Sequence, residues 1–111
     1  MADRLFLSKD ADELISSLHY EIKIEKAALA RMAFALSLAR SGAEVKVVEG
    51  CGGGEMKRPT FVGEDEVFLK TMLSTVYGRP ISDEEEFYSN RSLVKDHIEN
   101  GVDLMKTFYR E

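Results

Sequence analysis

Cys51, the one cysteine among 111 residues, stands between Gly50 and Gly52, where a thiol is accessible and adaptable. A thiolate there could take up sulfur, but the adjoining residues bring no base to generate it. A single cysteine forms neither an internal disulfide nor the ligand cluster of a zinc or iron–sulfur centre. The glycines that follow run into Glu55-Met56-Lys57 and lack the Gly-Lys-Ser/Thr ending with which a P-loop holds phosphates. His19 and His97 have no partner at the i, i+4 spacing that suits a metal on a helix, and both read as packed side chains. The acidic run Asp83-Glu84-Glu85-Glu86 suits the first turn of a helix, where the dipole favours carboxylates without any cation. This inventory contains no activated nucleophile and no metal or cofactor site, so the expectation is a protein that is not an enzyme.

The net charge of -5 opposes indiscriminate coating of nucleic acid, because such affinity comes from cations that displace counterions around phosphates. The charge is unevenly placed. In residues 1–42, Arg4, Lys9, Lys23, Lys26, Arg31 and Arg40 balance an equal number of acids; residues 43–59 also balance, and the whole acidic excess falls in residues 60–111. A neutral N-terminal part can present a local basic surface that the acidic part cannot. Arg31 shares a helical side with Ala27, Phe34 and Leu38, so its charge calls for either an internal ion pair or a phosphate.

The elements that must position these groups read as mainly helical. Arg4-Leu5-Phe6-Leu7-Ser8 alternates and predicts a short strand with Leu5 and Leu7 on one face. Ser8 or Asp10 then caps a helix over about residues 10–20, with a turn from Tyr20 to Lys23. Residues 24–41 are rich in alanine and leucine and are closed by Gly42. Leu29, Met32 and Leu36 mark one side of this helix and Ala27, Phe34 and Leu38 another. A helix apolar over so much of its circumference is central or lies at a subunit contact, which makes Leu29, Met32, Phe34 and Leu36 the candidate oligomer interface.

Residues 43–59 predict a flexible Gly-rich loop in which Glu44-Val45-Lys46-Val47-Val48 forms a short strand. A third helix is expected over residues 64–76. Ser82 as N-cap and Glu85 as its capping-box partner open a further helical start. A last helix over residues 92–109 carries Val94, Ile98, Val102, Met105 and Tyr109 along one stripe. At this length the chain reads as one domain, residues 1–111, divided into 1–42, 43–59 and 60–111. No run approaches the roughly 20 apolar residues of a membrane span, and Met1-Ala2-Asp3-Arg4 opens no secretory signal, so a cytoplasmic location without membrane contact is expected.

Strand, helix and helix over residues 4–41 have the order of a ribbon-helix-helix unit, in which two chains pair their strands and lay the ribbon in a DNA groove. Arg4, Phe6 and Ser8 would share its exposed face, with Lys23 and Lys26 near phosphate. The other reading is a strand and helix hairpin used for dimerisation alone.

Four segments go further. Arg4-Leu5-Phe6-Leu7-Ser8-Lys9 with Leu14 and Leu18, then Arg31-Met32-Ala33-Phe34-Ala35-Leu36-Ser37-Leu38, Gly54-Glu55-Met56-Lys57-Arg58-Pro59-Thr60-Phe61-Val62-Gly63-Glu64 and His97-Ile98-Glu99-Asn100-Gly101-Val102 follow one another across most of the chain. In these the chain resembles the DndE family of DNA phosphorothioation (DNA sulfur modification) proteins. Lys57 stands where asparagine is more familiar, and Asn100 where arginine is.

The resemblance implies a compact helical fold, related to ribbon-helix-helix proteins and self-associating as a tetramer in relatives, that serves the replacement of a non-bridging phosphate oxygen of DNA by sulfur. It implies DNA binding, nicked duplex in particular, with the sulfur chemistry left to companion proteins: a desulfurase, an iron–sulfur protein, a reductase-like protein and an ATPase. The expected function is therefore a noncatalytic DNA-binding and assembly subunit without cofactors, using Arg4, Lys9, Lys23, Lys26, Lys57 and Arg58 against the backbone. A ribbon-helix-helix transcription regulator or antitoxin and a pure protein scaffold are the alternatives.

Overall fold

The structure, a computed structural model, describes residues 3–109 and, of Tyr109, the backbone only. Met1 and Ala2, expected not to open a secretory signal, and the Tyr109 side chain, expected on the last stripe, lie outside the described residues. Strand β1 (Arg4–Phe6) leads into helices α1 (Lys9–Ile22) and α2 (Lys26–Ser41). Strand β2 (Glu55–Lys57) is followed by α3 (Arg58–Val62), α4 (Glu66–Tyr77), α5 (Glu84–Phe87) and α6 (Leu93–Tyr109). The fold is mainly helical with a short N-terminal strand, as the sequence indicates.

Local chemistry sets the helix ends. The Ser8 hydroxyl accepts from the Ala11 amide and caps α1, and Lys23, in the left-handed region at φ 60°, closes it two residues beyond the expected end. Gly42 closes α2 as its position predicts. At α5 the N-cap is Asp83, accepting from the Glu85 amide, and not Ser82. Asp and Ser serve alike as caps, and here the Asp83 carboxylate is the group that meets the Glu85 amide, at 2.9 Å.

The expected strand at Glu44 to Val48 does not form. Glu55–Lys57 pairs antiparallel with β1 instead, in the register Arg4↔Lys57, Leu5↔Met56 and Phe6↔Glu55. This register turns Leu5 and Met56 into the core and leaves Arg4, Glu55 and Lys57 exposed. The N-terminal ribbon is thus made within the chain. Its outer edge is occupied too: the Phe6 amide donates to Asn90 Oδ1 at 2.7 Å, and the Ser8 amide to Glu99 Oε2 at 2.7 Å. Two backbone donors that a second chain's strand would need are already satisfied.

Helix α2 is the centre of the core, packed by α6, α1 and α3. Its closest approach is to α6, where Gly101 lies against Ala33; a Cβ built on Gly101 would stand 1.8 Å from the Ala33 carbonyl oxygen. Leu29 and Phe34 have 0% exposure. They belong to the core rather than to a subunit interface, because α6, α1 and α3 already cover those sides. Met32, at 51% exposure, and half-buried Leu36 remain toward the outside.

The segment expected as a flexible loop is fastened by α6. Buried Lys95 donates to the Gly50 carbonyl at 2.6 Å, Asp96 accepts from the Val48 amide at 3.2 Å, and Gly53 donates to the Leu7 carbonyl at 2.8 Å. The Tyr88 hydroxyl donates to the Met56 carbonyl at 2.7 Å and fixes β2 from below.

Candidate nucleic-acid interface

Lys57 points outward from β2, and Lys26 is the first residue of α2. The pairing of β2 with β1, beside the start of α2, brings both to the rim of one cleft of about 340 Å³, with Thr60 and Asp12. Leu7, Ile15, Ala27 and Met56 form its apolar floor. Among the described residues, the Lys26 and Lys57 ammonium groups, the Asp12 carboxylate and the Thr60 hydroxyl have no hydrogen-bond or ion-pair partner. The amino end of α2 opens here as well. Its N-cap, Glu25, makes no side-chain hydrogen bond, and no acid stands in the first turn. Orphan amides and the positive end of the helix dipole add to the two lysines as a place for an anion.

Lys57 also lines a neighbouring cleft of about 410 Å³ with Asp3, Arg4 and Pro59. Arg4 is exposed and pairs with Glu55 at 3.2 Å. Lys23 stands in the turn three residues before Lys26, exposed. Lys9 lies beside Gly52 and outside both clefts. Of the six cations expected at DNA, then, Lys26, Lys57 and Arg4 gather around β2, and Lys23 lies three residues before Lys26 in the chain.

Arg58 is placed elsewhere. Its guanidinium pairs with Glu66 at 2.7 Å and with Glu84, its side chain is 11% exposed, and it lies over the Phe87 ring at 5.1 Å. Lys70 meets the same two carboxylates and the same ring. The Glu66 and Glu84 hydrogen bonds hold Arg58 above its already high ordinary pKa, and Arg58 in turn holds both carboxyls below theirs. A cation so engaged is a clamp of α3, α4 and α5, not a free contact for phosphate. Arg31 resolves into neither of its two expected roles: it donates to the Phe61 and Thr60 carbonyls at 2.8 and 3.3 Å, satisfying the last turn of α3.

His97 is buried, with Nδ1 on the Ser37 hydroxyl at 2.7 Å and Nε2 on the Tyr77 hydroxyl at 2.9 Å. Burial pushes its pKa down to about 4, so the ring is neutral. Asn100 adds hydrogen bonds from Nδ2 to Ser37 and Ser41, both at 2.9 Å. Asn100 is therefore an internal bridge between α6 and α2. The contact at Cys51 escapes a linear reading: Lys95, distant in sequence, places Nζ 3.2 Å from its sulfur. The helical spacing of Lys95 gave no sign of that. Among the described residues no three His, Cys, Asp or Glu side chains gather as metal ligands, and no helix is long and apolar enough to cross a membrane.

The architecture of a short two-stranded ribbon on a helical core recurs in two solved structures. The crystal structure of DndE from Escherichia coli B7A, involved in DNA phosphorothioation modification, superposes with a TM-score of 0.64 at 19% identity, covering 95% of this chain and 98% of that one. A double glycine-to-lysine mutant of DndE involved in DNA phosphorothioation gives 0.66 at 19% identity, with 96% and 99% covered. No curated protein sequence matches. These likenesses show the fold class, a mainly helical protein with the architecture of those two chains. The family described as DNA sulphur modification protein DndE matches residues 4–111, and the chain belongs to the DndE family.

Proposed function

We propose that this chain is a noncatalytic DNA-binding and assembly subunit of a DNA phosphorothioation system, contacting the backbone of duplex DNA, nicked duplex in particular. The observation that carries the reading is the pair of unpartnered lysines, Lys26 and Lys57, at one cleft beside the uncapped start of α2. Arg4 extends the surface along β1, and exposed Lys23 lies three residues before Lys26 in the chain. The chemistry of sulfur insertion belongs to companions: a desulfurase, an iron–sulfur protein, a reductase-like protein and an ATPase. Self-assembly uses the uncharged groove that Ala35 and Ala39 of α2 line with Thr71 and Met72 of α4, together with exposed Met32 and Phe68 on the same two helices, Phe68 at 64% exposure. A regulator that pairs β1 between two chains is disfavoured by the Asn90 and Glu99 bonds on that edge.

Titration of nicked and intact duplex at several salt concentrations tests the reading. The variant with Lys26 and Lys57 both replaced by Ala should bind more weakly, with a salt slope reduced by about one unit per lost phosphate contact. Sequence should matter little, because phosphate contacts carry no base code. Absence of any salt-sensitive binding by the intact protein would leave a protein scaffold as the better description.

A further inference from the structure

The cleft between β2, α1 and the start of α2 has more than a surface cation site needs. It is concave, about 340 Å³, floored by apolar side chains and edged by two ammonium groups and two carboxylates, of which Glu55 is paired with Arg4 and Asp12 is not. Backbone phosphates of a paired duplex ask for neither the apolar floor nor the acid. An acid beside phosphate is a cost, since it repels the same group that Lys26 and Lys57 attract. Asp12 nevertheless faces the cleft from the first turn of α1, half-buried, and lies about 3.0 Å from where a Cβ on Gly54 would be. A side chain at position 54 would crowd that carboxylate.

We infer that this cleft binds a single unpaired nucleotide whose base carries an exocyclic amino group. The volume is that of small-ligand sites, which combine an apolar lining with a few converging polar groups. A base lies flat on Leu7, Ile15 and Met56, its amino group donates to the Asp12 carboxylate, and its phosphate meets Lys26 or Lys57. Cytosine, adenine and guanine all present such an amino group, whereas the one donor of an unpaired thymine, N3–H, is flanked by two carbonyl oxygens that repel a carboxylate, so the acid that opposes phosphate becomes the element that selects the base. The inference rests on the DNA-binding reading for the source of the nucleotide and on the cleft alone for its chemistry.

Duplexes that carry one bulged dC, dA or dT are compared with a fully paired duplex by fluorescence anisotropy, and free dCMP and dTMP are titrated into isotopically labelled protein. Bulged dC and dA should bind about tenfold more tightly than bulged dT or the paired duplex. In Asp12→Asn that preference disappears while the paired duplex binds as well as before or better, because a repelling charge has gone. Free dCMP should shift the amides of Asp12, Ala27 and Met56, and dTMP at equal concentration should not. Bulge preference assigns the nucleotide to DNA; dCMP shifts without it assign the cleft to a free nucleotide. Lack of both, or responses that ignore the base and persist in Asp12→Asn, overturns the inference. Failure of every duplex to bind removes the DNA-binding reading, and the dCMP titration then still decides the cleft.

Discussion

Gly101 and His97 show how far single residues can be read. The sequence marks both within one motif on the last helix and gives no hint of what either touches. Folding brings Gly101 against the Ala33 backbone, where a Cβ would lie 1.8 Å from the carbonyl oxygen and 2.3 Å from its carbon. Both atoms are main chain, so relief requires α2 and α6 to part. Gly101→Ala should cost about 3 kcal/mol or more, read from urea unfolding, since overpacking against backbone sits at the upper end of such effects. His97 makes a different prediction. Its folded pKa of about 4 lies below the ordinary 6.5, so between those values the unfolded chain binds the extra proton. Stability should therefore fall as pH drops from about 6.5 toward 4, by an amount on the order of 3 kcal/mol for a shift of that size. Asp96, whose carboxyl burial pushes upward, works in the opposite sense at the acid end of the window. Urea midpoints between pH 7.5 and 4.5 measure the slope, and His97→Gln should flatten it.

Elements were legible in proportion to the length of their pattern. Helix α2 is announced by an alanine and leucine run, and α6 by a stripe that holds from Val94 to Met105. Strand β2 is three residues long, and an alternation of three has no statistical weight; it exists because β1 supplies the partner and Tyr88 holds the Met56 carbonyl. The candidate site inherits the same limit. Lys26 and Lys57 could be named from charge, but their meeting depends on the β1–β2 register, and Asp12 became visible only once Gly54 lay beside it. Arg58 was misplaced for a related reason: its partners Glu66 and Glu84 lie on α4 and α5, whose arrangement no local spacing reveals. Neighbours in sequence should thus behave differently. Lys57→Ala should weaken DNA binding and lower the salt slope by about one unit. Arg58→Ala should lower the unfolding temperature through loss of its clamp and leave that slope unchanged. A reduced slope in Arg58→Ala, with folding intact, would return Arg58 to the DNA surface.

At the scale of the whole molecule, the breadth of apolar cover on α2 admits two explanations, a central helix or a subunit contact. Most of it is central: Leu29 and Phe34 are enclosed by the chain's own helices. What is left over is exposed Met32 with Ala35 and Ala39, the last two lining a groove with Thr71 and Met72 of α4, the helix that also carries exposed Phe68. Copies that each carry a net charge of -5 repel on approach, so a face without charges is where they can meet at least cost. Met32→Asp and Phe68→Asp should each yield a folded monomer in sedimentation, because the new carboxylate stays hydrated in the isolated chain and is desolvated only in the assembly. Phe34→Asp should unfold the chain instead, since its site is closed in every state. Assembly also multiplies clefts: copies that share one duplex bind it with an effective concentration set by their spacing. The monomeric variants should then lose DNA affinity and salt slope together, although neither substituted residue lines the basic cleft. Monomers that keep the full slope would show that one copy alone makes all the phosphate contacts.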